Sequence, residues 1–335
     1  MTMSCRFFWQ YIKLFLVGLL IVVCLQSCQV VSPKSIQTQR SAVLSSECRI
    51  VRHELGESCI PYHPQRVVVM DQESLEILVA LGFKPIAAAT ANLVGNKALI
   101  LQNRVDFTEI VDLGKEGKPN LEKIVRLKPD LILGMFINPQ IYPLFSQIAP
   151  TVSIEYSPTN WKKTLFLTAD MLDQRPKASE LISAFQQRID LIQKKLAEQN
   201  GKLKISAMRF YTDASLTQFL NQNSFTINVL EELKTISIPE KQRQEIQVPN
   251  SDWGYVNVSL ERIDLLDADA MFVALDPGSE DSFKLYVNSP LWQTLDVVQR
   301  QRVYTVDSGY WIFGNILSAN AILDDLCKYL DQEKS

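Results

Sequence analysis

The chain has 335 residues, 34 basic and 37 acidic side chains, a formal net charge of -3 and 47% hydrophobic residues. That length suits one large domain or two lobes with a sizeable buried core. The acidic balance argues against a basic nucleic-acid binder and fits a soluble body outside the cytoplasm.

The first element is a leader. Leu14–Leu25 is an unbroken apolar run of 12 residues, with Arg6 and Lys13 before it and no acid ahead of Glu47. A positive flank, a short apolar core and a small residue before the cut make residues 1–27 a secretory signal peptide. The run is shorter than the roughly 20 residues that cross a bilayer. Cys28 follows directly. The segment Leu25-Gln26-Ser27-Cys28 resembles a bacterial lipoprotein lipobox, with Leu25 and Ser27 in place and Gln26 where a small residue is usual. Lipid on Cys28 would tether the protein to the outer face of a membrane. The plainer alternatives are secretion with an incidental Cys28, or an uncleaved anchor helix. Residues 28–46 are rich in Ser, Gln and Thr without a period, and read as a flexible tether.

Cys48 and Cys59 flank a strand, a turn at Gly56 and a second strand. An oxidising compartment permits a bridge across this hairpin; the alternative is two free thiols. His53 and His63 lie nearby, at spacings that match no zinc motif.

From Arg66 the pattern alternates strand and helix. Arg66–Asp71 reads as a buried strand, Leu75–Leu81 as a helix stopped by Gly82, and Lys84–Ala89 as a short strand. A helix opens at Asn120 and runs over Leu121–Leu127. Buried strands are expected over Pro129–Gly134 and Ile148–Ile154. This alternation argues a parallel sheet in an α/β lobe over residues 47–158.

Residues 159–200 read as helical. Asn160–Leu172 is one helix. Pro176–Gln199 is a longer one, with Leu181, Ile182, Phe185, Ile189, Ile192 and Leu196 on one stripe. A helix of that length, about 35 Å, can act as a stiff strut between lobes. A second α/β series fills residues 201–335: strand Leu203–Phe210, helix Phe225–Glu232, helix Leu260–Leu266, strand Ala270–Leu275, a helical turn Leu291–Leu295, strand Val303–Val306 and a closing helix Ile316–Leu330.

One theme occurs in both series. Asn120-Leu121-Glu122-Lys123-Ile124 leads to a buried strand, and so does Ser259-Leu260-Glu261-Arg262-Ile263. A glutamate in the first helical turn suits the helix dipole, which alone accounts for each. As a pair, one per lobe, Glu122 and Glu261 form two matched carboxylates suited to a two-fold, basic partner.

The blocks CRIVRHELGESCIPYHPQRVVVMDQESLEILVALGFKPI, DLGKEGKPNLEKIVRLKPDLILG, SDWGYVNVSLERIDLLDADAMFV and NSPLWQTLDVVQRQRVYTVDSGYWIFGN carry a family resemblance over about residues 47–330. The chain resembles the iron-siderophore and vitamin B12 class of solute-binding lipoproteins that feed bacterial ABC importers. The resemblance implies two Rossmann-like α/β lobes joined by one long rigid helix, the class III solute-binding architecture, with small lobe closure and the ligand in the cleft between. It implies that Glu122 and Glu261 meet the permease dimer, which works with its ATPase. It also implies a monomer on the periplasmic side of the membrane.

For the ligand site the resemblance points to Trp253, Trp311, Tyr310, Phe136 and Arg209, all near strand ends or in the loops that follow. Lys118 and Lys115 are candidates to supply charge, and Tyr142 and Tyr211 lie farther out. For each aromatic the alternative is core packing; for Arg209 it is a solvated strand end. An aromatic cleft with one or two cations suits a ferric siderophore, with hydroxamate or citrate-hydroxamate complexes ahead of the more anionic catecholates. With two histidines in the chain, no bare-metal site is expected and no cofactor beyond the bound chelate. Cobalamin or haem on the same fold is the nearest rival, since a tyrosine can ligate haem iron. An extracytoplasmic sensor domain is the next.

No phosphate-loop, dinucleotide or serine-hydrolase motif occurs, and neither histidine lies in the α/β body, so no catalytic residues are expected. Cys327 sits on an apolar helix face and reads as core.

Overall fold

A computed structural model describes residues 48–90, 98–200, 202–211, 217–245 and 254–330. The leader, the tether, Cys28 and Trp253 lie outside the described residues. The first described strand opens at Cys48.

β1 (Cys48–His53) and β2 (Gly56–Pro61) form the hairpin, and Cys48 and Cys59 are disulfide-bonded. The first lobe is built on β3 (Val67–Val69), β4 (Ala87–Ala88), β5 (Val111–Asp112), β8 (Leu131–Gly134) and β9 (Thr151–Ser153). A small ribbon, β6 (Gly114–Lys115) and β7 (Lys118–Pro119), lies between β5 and β8 in sequence. The main sheet has the order β5-β4-β3-β8-β9, and all four pairings are parallel. Strands covered on both faces read as continuous apolar runs, which is why Val67–Val69 and Leu131–Leu133 are legible in the sequence. The edge strand β9 is protected by the hairpin: Ser58 Oγ donates to the Thr151 carbonyl at 2.6 Å.

Local chemistry sets the helix starts. Asp71 ends the β3 segment and caps helix Gln72–Ala80, accepting from Ser74 N at 2.7 Å. Asn120 caps Leu121–Leu127, accepting from Lys123 N at 3.0 Å. Helices Trp161–Met171 and Arg175–Asn200 follow, and the 26-residue second one spans about 39 Å at ~1.5 Å per residue.

The second lobe holds β10 (Leu203–Phe210), β11 (Thr217–Leu220), β12 (Ile236–Ser237), β13 (Tyr255–Val258), β14 (Ala270–Leu275) and β15 (Val303–Asp307). Its order is β13-β11-β10-β14-β15, with β12 beside the start of β10. β11 runs antiparallel to both β10 and β13, so this sheet is mixed. Two expectations are corrected. The strand expected over Ile148–Ile154 is confined to Thr151–Ser153, because Ile148 is the last residue of helix Tyr142–Ile148, which has Pro143 in its first turn. Leu260–Leu266 is a 3-10 segment kinked at Arg262 rather than a regular helix.

The core runs from lobe to lobe. Trp161 packs edge-on against Phe185 of the long helix at 5.4 Å and against Phe225 of the second lobe at 6.0 Å. Glu76 in the first lobe is fully buried and accepts hydrogen bonds from Asn315 N, Ser318 N and Ser318 Oγ at the start of helix Ile316–Leu330. Among the described residues, no helix is long and apolar enough to cross a membrane.

Candidate ligand cleft

Each sheet has a point where the chain reverses its direction of winding. In the first lobe it lies between β3 and β8, in the second between β10 and β14. Parallel sheets bind ligands outside the C-terminal ends of such strand pairs. The residues there are Asp71 and Met135–Phe136 in one lobe, and Arg209–Phe210 and Asp276 in the other.

In the first lobe, buried Asp71 joins the two strands. Its Oδ1 accepts from Ser74 N and its Oδ2 from Met135 N at 2.6 Å. Burial pushes this carboxyl above the ordinary range, against the opposing pull of those N–H groups. Phe136 stands just past β8 and is 38% exposed. Its ring lies 5.3 Å from Tyr156, which lies 6.0 Å from Phe313 of the second lobe. The three rings bridge the lobes. Burial first, and then the charge of Glu73, hold the Tyr156 phenol well above its ordinary range, so it stays a neutral hydroxyl.

In the second lobe, Arg209 is not a solvated strand end. Its Nη2 and Nε reach Asp276 Oδ2 and Oδ1 at 2.7 and 3.2 Å, and the two side chains are 11% and 3% exposed. The guanidinium also lies 5.8 Å from the Tyr211 ring. Asp276 therefore neutralises the cation before any ligand arrives.

Trp311 and Tyr310 take the core alternative. Trp311 is fully buried, stacked on Phe272 at 4.8 Å, with Nε1 donating to Asp325 Oδ2 at 2.7 Å. The Tyr310 hydroxyl donates to the same oxygen at 3.0 Å. The short helix Ser308–Trp311 turns both rings back against helix Ile316–Leu330, so neither lines an open cleft. Tyr142 meets His53 at the hairpin instead, its Oη 3.4 Å from Nε2.

Lys115 and Lys118 face each other across the β6–β7 ribbon and are exposed. Glu116 ties that ribbon to the end of β3 by accepting from Gln72 N at 3.1 Å, which brings the lysines to the same side as Asp71. Glu122 and Glu261 are both exposed. Each sits in the first turn after a capping-type residue, Asn120 or Ser259, on the segment that leads into β8 or β14. The sequence echo is thus an echo in three dimensions. Glu122 pairs with Arg126 at 2.6 Å, whereas hydrogen bonds, from Ser259 first, hold the Glu261 carboxyl below its ordinary range.

Sequence reasoning missed Tyr156, Phe313 and Asp276. Asp276 carried a signal, since it ends the β14 segment as Asp71 ends the β3 segment. Tyr156 and Phe313 carried none, because their partners lie in other elements. Among the described residues, no group of His, Cys, Asp and Glu is placed to hold a metal ion.

Two α/β lobes, each with a switch point in its sheet, and a long connecting helix make the architecture of a solute-binding protein. The chain belongs to the periplasmic binding protein family, whose model matches residues 67–310, and it is a carrier rather than an enzyme. It is 32% identical over 333 residues to a probable siderophore-binding lipoprotein of Bacillus subtilis, covering 97% of this chain and 99% of the relative. It is 30% identical to an achromobactin-binding periplasmic protein of Dickeya dadantii, covering 80% and 87%. The crystal structure of Staphylococcus aureus SirA complexed with staphyloferrin B superposes with a TM-score of 0.72 at 27% identity, covering 86% of this chain and 100% of that one.

Proposed function

We propose that this protein captures a ferric siderophore in the cleft and delivers it to the permease dimer of an ABC importer, acting as a monomer outside the cytoplasm. The observation that carries this reading is similarity over nearly the full length to a probable siderophore-binding lipoprotein. The cleft chemistry agrees with it. Its described residues offer aromatic faces and cations rather than a metal-ligand cluster, so iron would arrive already chelated. Phe136 and Trp253 would meet the chelate's apolar surface, and Arg209 and Lys118 its anionic oxygens. Trp311 and Tyr310 would support the site from behind. Because Asp276 neutralises Arg209, a weakly anionic chelate suits the cleft better than a highly charged one. Glu122 and Glu261 would dock the permease, and lipid on Cys28 would hold the body at the membrane.

The test is a fluorescence titration of the purified protein with ferric hydroxamate, citrate-hydroxamate and catecholate complexes, and with cobalamin and haem. Saturable quenching by one ferric chelate, weakened about tenfold in Phe136→Ala and in Trp253→Ala, supports the reading. A response to cobalamin or haem alone replaces the ligand and leaves the carrier role in place.

A further inference from the structure

The turn that leaves β8 carries Phe136, and the chain around it is built to hold that turn. Met135 and Ile137, on either side of Phe136, are buried in separate apolar clusters. With both flanks anchored, the Phe136 ring is left facing outward and 38% exposed. Gly134 lets the turn drop onto the end of the neighbouring strand. A Cβ there would stand 2.8 Å from Met70 Cβ and 3.1 Å from Asp71 Oδ2. In that space Asp71 Oδ2 accepts from Met135 N at 2.6 Å, one residue before the ring.

Asp71 is itself held from its other side. Its side chain is fully buried, and Oδ1 accepts from Ser74 N in the first turn of helix Gln72–Ala80. A carboxylate offers two acceptor oxygens; here one meets the helix and the other meets the turn. Asn or Ser would serve as well if capping the helix were the whole task. An asparagine of the same shape has one acceptor oxygen, and its amide nitrogen would face an N–H group. The second carboxylate oxygen is what ties the helix start to the turn that carries Phe136.

We propose that Asp71 is a positioning residue of the cleft: through the Met135 amide it fixes where the Phe136 ring stands, and so how closely a ligand is held against that ring. The consequence for binding rests on the reading of Phe136 as a ligand contact; the consequence for the ring does not. A ring placed in advance spares the complex the entropy of ordering it. Release of the turn therefore weakens binding without removing any group that touches the ligand.

The experiment has a ligand-free arm and a binding arm, both on the purified full chain. In the first, a trifluoromethyl label on the ring at position 136 is read by fluorine NMR. The labelled parent should give one resonance, and Asp71→Asn should move or split it. In the unlabelled parent the Met135 amide should exchange about a hundredfold more slowly than its intrinsic rate. In the second arm, ferric hydroxamate, citrate-hydroxamate and catecholate complexes are titrated into the parent, Asp71→Asn, Phe136→Ala and the double variant. For the chelate that binds the parent, Asp71→Asn should weaken binding about fivefold, and the same change should have no effect in the Phe136→Ala background. An unmoved fluorine resonance in Asp71→Asn overturns the proposal. So does an unprotected Met135 amide in the parent, a result that needs no variant to fold. Parent-like binding by Asp71→Asn, or equal weakening in both backgrounds, also overturns it, since Asp71 would then not act through the ring. If no chelate binds while the resonance moves, the siderophore reading fails and the placement of Phe136 by Asp71 stands.

Discussion

Glu76 and Ser318 stand 242 positions apart, and both carboxylate oxygens of Glu76 accept from Ser318, Oε1 from the backbone N–H at 2.8 Å and Oε2 from the hydroxyl at 2.7 Å. Asn315 N adds a third donor at 3.0 Å. A carboxylate from one lobe thus caps the first turn of the last helix, where the free N–H groups and the helix dipole favour a negative charge. The two lobes are joined here by buried hydrogen bonds as well as by the long helix.

Glu76→Ala would remove an acceptor shared by three buried donors. The expected loss is about 3 kcal/mol of stability, read as a lower urea midpoint. Small-angle scattering should also show a broader distribution of lobe separations. An unchanged midpoint would mean that water replaces the carboxylate there.

The Arg209–Asp276 pair gives a second prediction. Asp276→Asn strands a buried guanidinium and should cost about 3–5 kcal/mol. Replacing both residues with Met and Leu should recover most of that loss. Thermal melts of the three variants decide the matter, and a double variant as unstable as the single one would show that the pair is not an isolated unit.

Much of this architecture is legible in the sequence because it rests on local signals. Asn120 followed by Leu, Glu and Ile fixes Leu121–Leu127, and the strands read over Leu203–Phe210 and Ala270–Leu275 coincide with β10 and β14. β11 and β13 escape notice because they are four-residue strands, and β13 finds its partner β11 only after intervening helices and loops. The fate of Trp311 is illegible for the same reason. A Tyr-Trp pair after a strand looks alike whether it faces a cleft or turns inward, and here the acceptor at Asp325 makes it turn inward.

Docking is tested by removing the two matched carboxylates. The Glu122→Ala, Glu261→Ala double variant should bind its ferric chelate like the parent, while whole-cell iron uptake falls at least tenfold. The variants should fold normally, since both side chains are exposed and an exposed pair such as Glu122–Arg126 contributes under about 1 kcal/mol. Parent-level uptake would remove these residues from the interface.

The hairpin should respond to pH through His53. Its Nδ1 faces the N–H groups of Leu55 at 3.3 Å and Ser153 at 3.5 Å, and its Nε2 contacts Ser58 Oγ at 3.0 Å. Glu54, Arg52 and the Tyr142 hydroxyl are the charged and titratable groups nearby. Burial lowers the folded pKa below the ordinary 6.5, so the unfolded ring takes up its proton first as pH falls. The stabilisation is complete above about 6.5 and is lost as pH drops toward the folded value. The protection factors of the β1 and β2 amides, taken relative to the intrinsic base-catalysed rate, should therefore fall between pH 7.5 and pH 5.5 in the parent, and much less in His53→Gln. An equal fall in both would place the pH dependence elsewhere.

The disulfide at Cys48 and Cys59 closes the hairpin at the point where the chain enters its first strand. It thereby fixes the mechanical load path. A pull arriving from residues before Cys48 meets a covalent bond, which passes the force to Cys59 on β2 and leaves the β1 ladder unloaded. Brownian drag on a body held by its N-terminal end would be carried by sulfur rather than peeled strand from strand, and only in a reducing medium would the hairpin hydrogen bonds have to bear it.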